Sequence, residues 1–161
     1  MKSHEGTTEY DAAHDSPGYL LWLMSNKWQA RQRAALRAFN LTHVQFVLLA
    51  CLTYARDGES LTQVQLAERA QADPMMTSQV VRRLEADGLV RRKSSQHDKR
   101  AFELQATKKG IELVYQAIQV VEGVDQDFFG ALAAERPSFV NMMRKLVYSP
   151  QKTLNTKKDE I

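Results

Sequence analysis

Seven basic side chains crowd the stretch from Pro74 to Arg100: Arg82, Arg83, Arg91, Arg92, Lys93, Lys99 and Arg100. Only Glu85, Asp87 and Asp98 oppose them, so the stretch carries +4 while the rest of the chain carries −1. A basic stripe on a near-neutral body is the electrostatic footprint of a polyanion-binding element. A charge run alone is more often a solvated face, so the flanking pattern has to decide.

Within the stretch, Thr77, Val80, Val81 and Leu84 recur at helical spacing and form an inward stripe. The opposite face then presents Met75, Met76, Gln79 and Arg83, flanked by Ser78 and Arg82. Glutamine pairs bidentately with adenine and arginine with guanine, each worth roughly 1–3 kcal/mol of discrimination. Met75 is suited to a thymine methyl. Arg100 suits a narrow A·T-rich minor groove, where the negative potential is enhanced. Asp98 would hold that guanidinium through a charge-assisted pair. Lys93, Ser94, Ser95, His97 and Lys99 suit phosphate contacts, which position a protein without reading sequence.

Positioning these groups requires a compact helical scaffold, and the pattern supplies one. Asp73-Pro74 is an N-cap acid followed by a first-turn proline, and Asp87-Gly88 ends the helix it opens. A shorter helix precedes it, begun by the capping box Thr62 to Gln65, with Leu66, Ala67 and Ala70 inward and Val64 undecided. Two short helices joined by a few residues, the second rich in Arg and Gln, predict a helix-turn-helix. Leu89–Lys93, a polar turn from Ser94 to Lys99, and Ala101–Leu104 then predict a two-stranded wing.

Upstream, Pro17 to about Ala38 reads as helix, stopped at Asn40. A second capping box, Thr42 to Gln45, opens an almost wholly apolar helix to about Tyr54, ended by Asp57-Gly58. Downstream, Thr107 caps a long helix to about Leu132, with Val114, Ile118, Val121, Phe128 and Leu132 in heptad-like spacing broken by Asp125. A last helix runs from Pro137 to Tyr148. The expected fold is mainly α with a small two-stranded β-wing. Residues 1–16 form a flexible arm and 149–161 a flexible tail.

The layout resembles the multiple antibiotic resistance regulator (MarR) family. Leu41 to Leu48, Leu61 to Ala70, Val80 to Arg92, Asp98-Lys99-Arg100 and Thr107-Lys108-Lys109-Gly110 carry the resemblance, in order, over about residues 17–148. It implies dimerisation helices at 17–40 and 107–148 around a winged helix-turn-helix at 41–106. It also implies a homodimer on double-stranded DNA with a pseudo-palindromic operator, acting as a repressor released by a small aromatic or phenolic ligand. Gln79 stands where the family often has arginine, Arg82 where an acid is common, and Met75 and Met76 where small polar residues are usual. Ala106 replaces the usual leucine before Thr107. These departures bear on the target sequence rather than on DNA binding.

Trp22, Trp28, His43 and Phe46 fall near where the resemblance implies an effector cavity, and aromatic side chains with a few polar groups suit a small aromatic acid. The single cysteine, Cys51, excludes an intrachain disulfide; with no cation beside it in sequence, it reads as a buried structural thiol. The four histidines are scattered, and no phosphate loop, nucleophile elbow or metal-binding spacing occurs, so neither enzyme chemistry, nor a metal, nor a cofactor is expected. Apolar runs such as Leu20–Met24 and Phe46–Cys51 are too short to span a bilayer, and a cytoplasmic protein is expected. The rival reading is a winged-helix protein-interaction module that no longer binds DNA. Such a module has no need to keep Arg82, Arg83, Lys99 and Arg100 together.

Overall fold

The computed structural model describes residues 13–55, 59–94 and 102–149. The Asp57-Gly58 turn, Ala101, most of the N-terminal arm and the tail beyond Ser149 lie outside the described residues.

Pro17–Leu36 forms α1, and a 3-10 turn, Arg37–Phe39, tightens its end. Asn40 then stops the chain in the left-handed region at φ 53°, which asparagine tolerates better than most residues. His43–Thr53 forms α2 and Gln63–Ala70 forms α3, each begun by the expected capping box. In the first, the Thr42 amide donates to Gln45 Oε1 at 2.8 Å and the Gln45 amide donates to Thr42 Oγ1 at 3.2 Å. Pro74–Ala86 forms α4, with the Met76 amide donating to Asp73 Oδ1 at 2.8 Å. Lys108–Gly130 forms α5 and Arg136–Tyr148 forms α6. The long helix thus stops two residues short of Leu132, which leads into a 3-10 turn at Ala133–Glu135.

The sheet has three strands: β1 (Leu61–Thr62), β2 (Val90–Ser94) and β3 (Phe102–Ala106), antiparallel in the order β1-β3-β2. The two-stranded wing is present as expected, with Val90 opposite Ala106 and Ser94 opposite Phe102. The additional strand β1 places Leu61 opposite Leu104 and Thr62 opposite Glu103. Two residues are too few for a period-2 pattern, and their partner is distant in sequence, so local periodicity does not reveal them.

The chain divides into two compact units, Met1–Val124 and Asp125–Ile161. The core of the first gathers Leu36, Leu48, Leu49, Leu66, Val81, Leu84, Leu104 and Val114, all essentially inaccessible to solvent. Each such side chain contributes roughly 1.5–3 kcal/mol by leaving water. Buried Gln32 ties α1 to α5 by donating from Nε2 to the Val121 carbonyl at 3.3 Å. In the second unit Phe129 packs on Phe128 and Phe139. Among the described residues no single helix is long and apolar enough to cross a membrane.

Candidate nucleic-acid interface

Helix α4 is anchored by Thr77, Val81 and Leu84, which are buried, with Val80 half-buried beside them. The one polar group in this stripe is satisfied, because the Thr77 hydroxyl donates to the Asp73 carbonyl at 2.8 Å. With its inner face fixed, the helix turns Met75, Gln79 and Arg82 outward, Met75 being 75% exposed. Met76 is also exposed, and Ser78 is half-buried at the flank. A solvated row of thioether, amide and guanidinium is chemically equipped for base edges.

Arg83 takes a different position from its outward-facing neighbours. Its Nε donates to Asp87 Oδ2 at 3.0 Å, one helical turn on. It also lines a cleft of about 330 Å³ with Arg37, Asn40, Leu41, Thr42, Gln45 and Asp87. Arg83 therefore borders the α1–α2 corner instead of standing at the middle of the outer face.

At the wing base, Arg92 reaches back to α4 and donates to Glu85 Oε1 at 2.8 Å. Arg91 donates to Gln105 Oε1 from Nη2 at 2.6 Å, joining the two strands. Lys93 and Ser94 are exposed at the end of β2. Ser95, His97, Asp98, Lys99 and Arg100 lie outside the described residues.

A clasp at the end of α4 is not visible as a pattern. The Thr107 hydroxyl donates to the Gly88 carbonyl at 2.8 Å and accepts from the Gly110 amide at 3.1 Å. The Thr107 amide donates to the Leu89 carbonyl at 3.0 Å, and Lys109 Nζ donates to the Asp87 carbonyl at 2.9 Å. Gly110 sits directly against the Leu89 carbonyl oxygen, leaving no room for a Cβ. The residues read as a helix cap thus also hold the C-terminal end of α4 to the start of α5.

Of the aromatic residues, Trp28 and His43 meet edge to face, with ring centroids 5.0 Å apart. Phe46, one turn along α2, is buried in the core, and Trp22 is 65% exposed on α1. The structure therefore brings Trp28 and His43 together but does not gather Trp22 with them.

Cys51 is half-buried rather than buried. Burial pushes its thiol pKa up, while the Arg69 guanidinium pulls it the other way. Sequence neighbours contain no such cation; α3 supplies it through the fold. Among the described residues, no three His, Cys, Asp or Glu side chains are grouped as metal ligands.

The MarR family model matches residues 41–102, from just before α2 to the start of β3. The chain is 40% identical over 144 residues to the HTH-type transcriptional regulator YdcH of Bacillus subtilis, spanning 89% of this chain and 97% of that protein.

The chain belongs to the MarR family.

Members of this family are DNA-binding winged-helix transcriptional regulators, not enzymes. The MarR-family chain is also 32% identical over 136 residues to the HTH-type transcriptional repressor Rv2887 of Mycobacterium tuberculosis, covering 83% of this chain and 96% of that one. The structure of Rv2887 in complex with p-aminosalicylic acid superposes with a TM-score of 0.66 at 29% identity, over 82% of this chain and 98% of that one. BpsR of Bordetella bronchiseptica, whose DNA binding is regulated by 6-hydroxynicotinic acid, superposes with a TM-score of 0.79 at 26% identity, over 89% and 100% of the two chains.

Proposed function

We propose that this MarR-family regulator is a homodimeric repressor that reads a pseudo-palindromic operator through the outer face of α4 and is released by a small aromatic acid. The observation that carries the reading is the arrangement of α4: a buried stripe holds it while Met75, Gln79 and Arg82 stand exposed. Gln79 and Arg82 would contact base edges and Met75 a thymine methyl. Met76, Ser78 and Arg83 would flank them. Lys93 and Ser94, with Ser95, His97 and Lys99, would contact phosphates. Arg100, steadied by Asp98, would enter the minor groove.

One recognition helix covers only a few base pairs, so a two-fold partner is needed for useful specificity. Large apolar side chains left exposed on both terminal helices support such a partner: Leu20, Leu21 and Trp22 on α1, and Leu146, Val147 and Tyr148 on α6. The repressor role is supported by the name of Rv2887. The ligand class is supported by the p-aminosalicylic acid complex of Rv2887 and by the regulation of BpsR by 6-hydroxynicotinic acid. The Trp28–His43 pair is the aromatic contact offered for such a ring, while Phe46 is buried in the core and Trp22 would join only through rearrangement.

The test is fluorescence anisotropy against a duplex library at two salt concentrations, alongside Gln79→Ala, Arg82→Ala and Arg100→Ala, with light scattering for mass. Salt-sensitive binding to a palindromic subset, weakened by each substitution, at twice the 18.3 kDa chain mass, is expected. Equal, weak binding to every duplex would reject this reading in favour of a protein-interaction module.

A further inference from the structure

The last turns of α1 and the 3-10 turn after it carry charge that the recognition helix and wing do not account for. From Ser16 to Arg56 the sequence contains no acidic residue, while Lys27, Arg31, Arg33 and Arg37 follow one another along this segment. Arg33 and Arg37 are one helical turn apart and exposed. Together with Ala30, Leu41 and Thr42 they line one cleft, of about 350 Å³. Arg37 also lines the neighbouring cleft that holds Arg83, at the edge of the candidate DNA face. Two adjoining clefts thus run from α4 to the α1–α2 corner; at the α4 end Arg83 is paired with Asp87, and beyond it Arg37 and Arg33 form a cationic track with no acid lining it among the described residues.

We propose that Arg33 and Arg37 bind backbone phosphates of the DNA, extending the operator contact beyond α4 and the wing. The proposal rests on the DNA-binding reading above and adds to it a set of contacts outside the winged helix-turn-helix. The chemistry is that of phosphate recognition. A guanidinium offers several donors in a fixed fork that matches phosphate oxygens, and its charge releases condensed counterions on binding. Neither side chain is held in an ion pair among the described residues, so both forks are available without breaking an internal contact. Thr42, at the corner between them, has its hydroxyl already committed to the α2 cap; recognition there depends on charge, not on a helix terminus.

The experiment compares the full chain with the double variant Arg33→Gln, Arg37→Gln on one selected duplex, from about 50 to 200 mM salt. Each phosphate contact contributes about 0.9 to the slope of log affinity against log salt, so losing two from each protomer of the dimer, four in all, should flatten it by about 3.6. Over that fourfold salt range the wild-type dimer should lose about 150-fold more affinity than the variant. The charge-conserving pair Arg33→Lys, Arg37→Lys should keep most of the wild-type slope. If the glutamine pair unfolds, the single variants, each expected to lower the dimer's slope by about 1.8, serve instead.

A wild type that binds no duplex defeats the DNA-binding reading itself. A wild type that binds, with variants of unchanged slope, overturns this proposal alone. A slope left unchanged while the glutamine pair abolishes 4-hydroxybenzoate binding in calorimetry also overturns it, and reassigns the track to a small carboxylate.

Discussion

Replacing Gly110 by alanine gives the sharpest check on how the recognition helix is held. At an exposed helical position the change stabilises, because alanine exceeds glycine in helix propensity by about 1 kcal/mol. Gly110 is not such a position. A Cβ placed there overlaps the Leu89 carbonyl oxygen and lies 3.1 Å from Leu49 Cδ1. A backbone carbonyl cannot swing aside as a side chain can, so α5 and the Gly88–Leu89 turn must separate. Overpacking of this kind costs roughly 1–3 kcal/mol. Separation also strains the Thr107 and Lys109 bonds to Asp87, Gly88 and Leu89. Losing two of these costs about 1 kcal/mol each. After subtracting the propensity gain, a net destabilisation of about 2–4 kcal/mol is expected.

Gly123 is the internal control: it lies on the same helix, and a methyl group there would meet nothing within 4 Å, so alanine should stabilise by about 0.5–1 kcal/mol. Urea unfolding followed by circular dichroism, at one fixed protein concentration because association shifts the midpoint, measures both. A Gly110→Ala protein as stable as the wild type would refute the close approach and the clasp built on it. A further consequence is expected in binding: because the clasp holds the end of α4, DNA affinity should fall at denaturant-free conditions where the variant remains folded.

Asp73→Ala removes the side-chain acceptor for the Met76 amide and should cost about 1 kcal/mol of stability by the same unfolding assay. Gln79→Ala and Arg82→Ala should each cost roughly 1–3 kcal/mol in discrimination at one operator position, with little change in unfolding midpoint, as measured by competition with point-substituted duplexes. Burial favours the neutral form of Cys51, so at pH 8 its thiolate fraction and its rate with iodoacetamide should fall below those of a free cysteine, rising with pH later than an ordinary thiol. Arg69→Met removes the opposing attraction and should slow the reaction further; acceleration would refute the attraction assigned to Arg69.

Local chemistry explains why so much of the helical frame was legible. A capping box, an Asp-Pro start or an Asn stop acts within three or four residues, and Thr42, Thr62, Asp73 and Asn40 each do in the fold what their types require. The buried stripe of α4 follows from spacing alone, which is why Met75 and Gln79 could be placed outward from their positions in the chain, whereas Arg82, expected at the flank, stands outward and Arg83 turns to the α1–α2 corner. The family resemblance was legible for the same reason, since its motifs are the caps, turns and stripe in order.

Contacts between distant segments could not be read this way. Strand β1 exists only because Leu61 and Thr62 find Leu104 and Glu103 across the sheet. Arg69 comes near Cys51 by the folding of α3 against α2, and Gly110 is required by the carbonyl of Leu89, on the far side of the wing in sequence. The run without acids on α1 was present in the composition, yet its relation to Arg83 emerges only when the two helices share a corner. Sequence by itself determined which segments become helices and which way each one faces, because those preferences are set by backbone geometry and neighbours a turn away. Tertiary structure alone decided which charges and carbonyls come together, because proximity between remote segments depends on how all the buried faces pack at once.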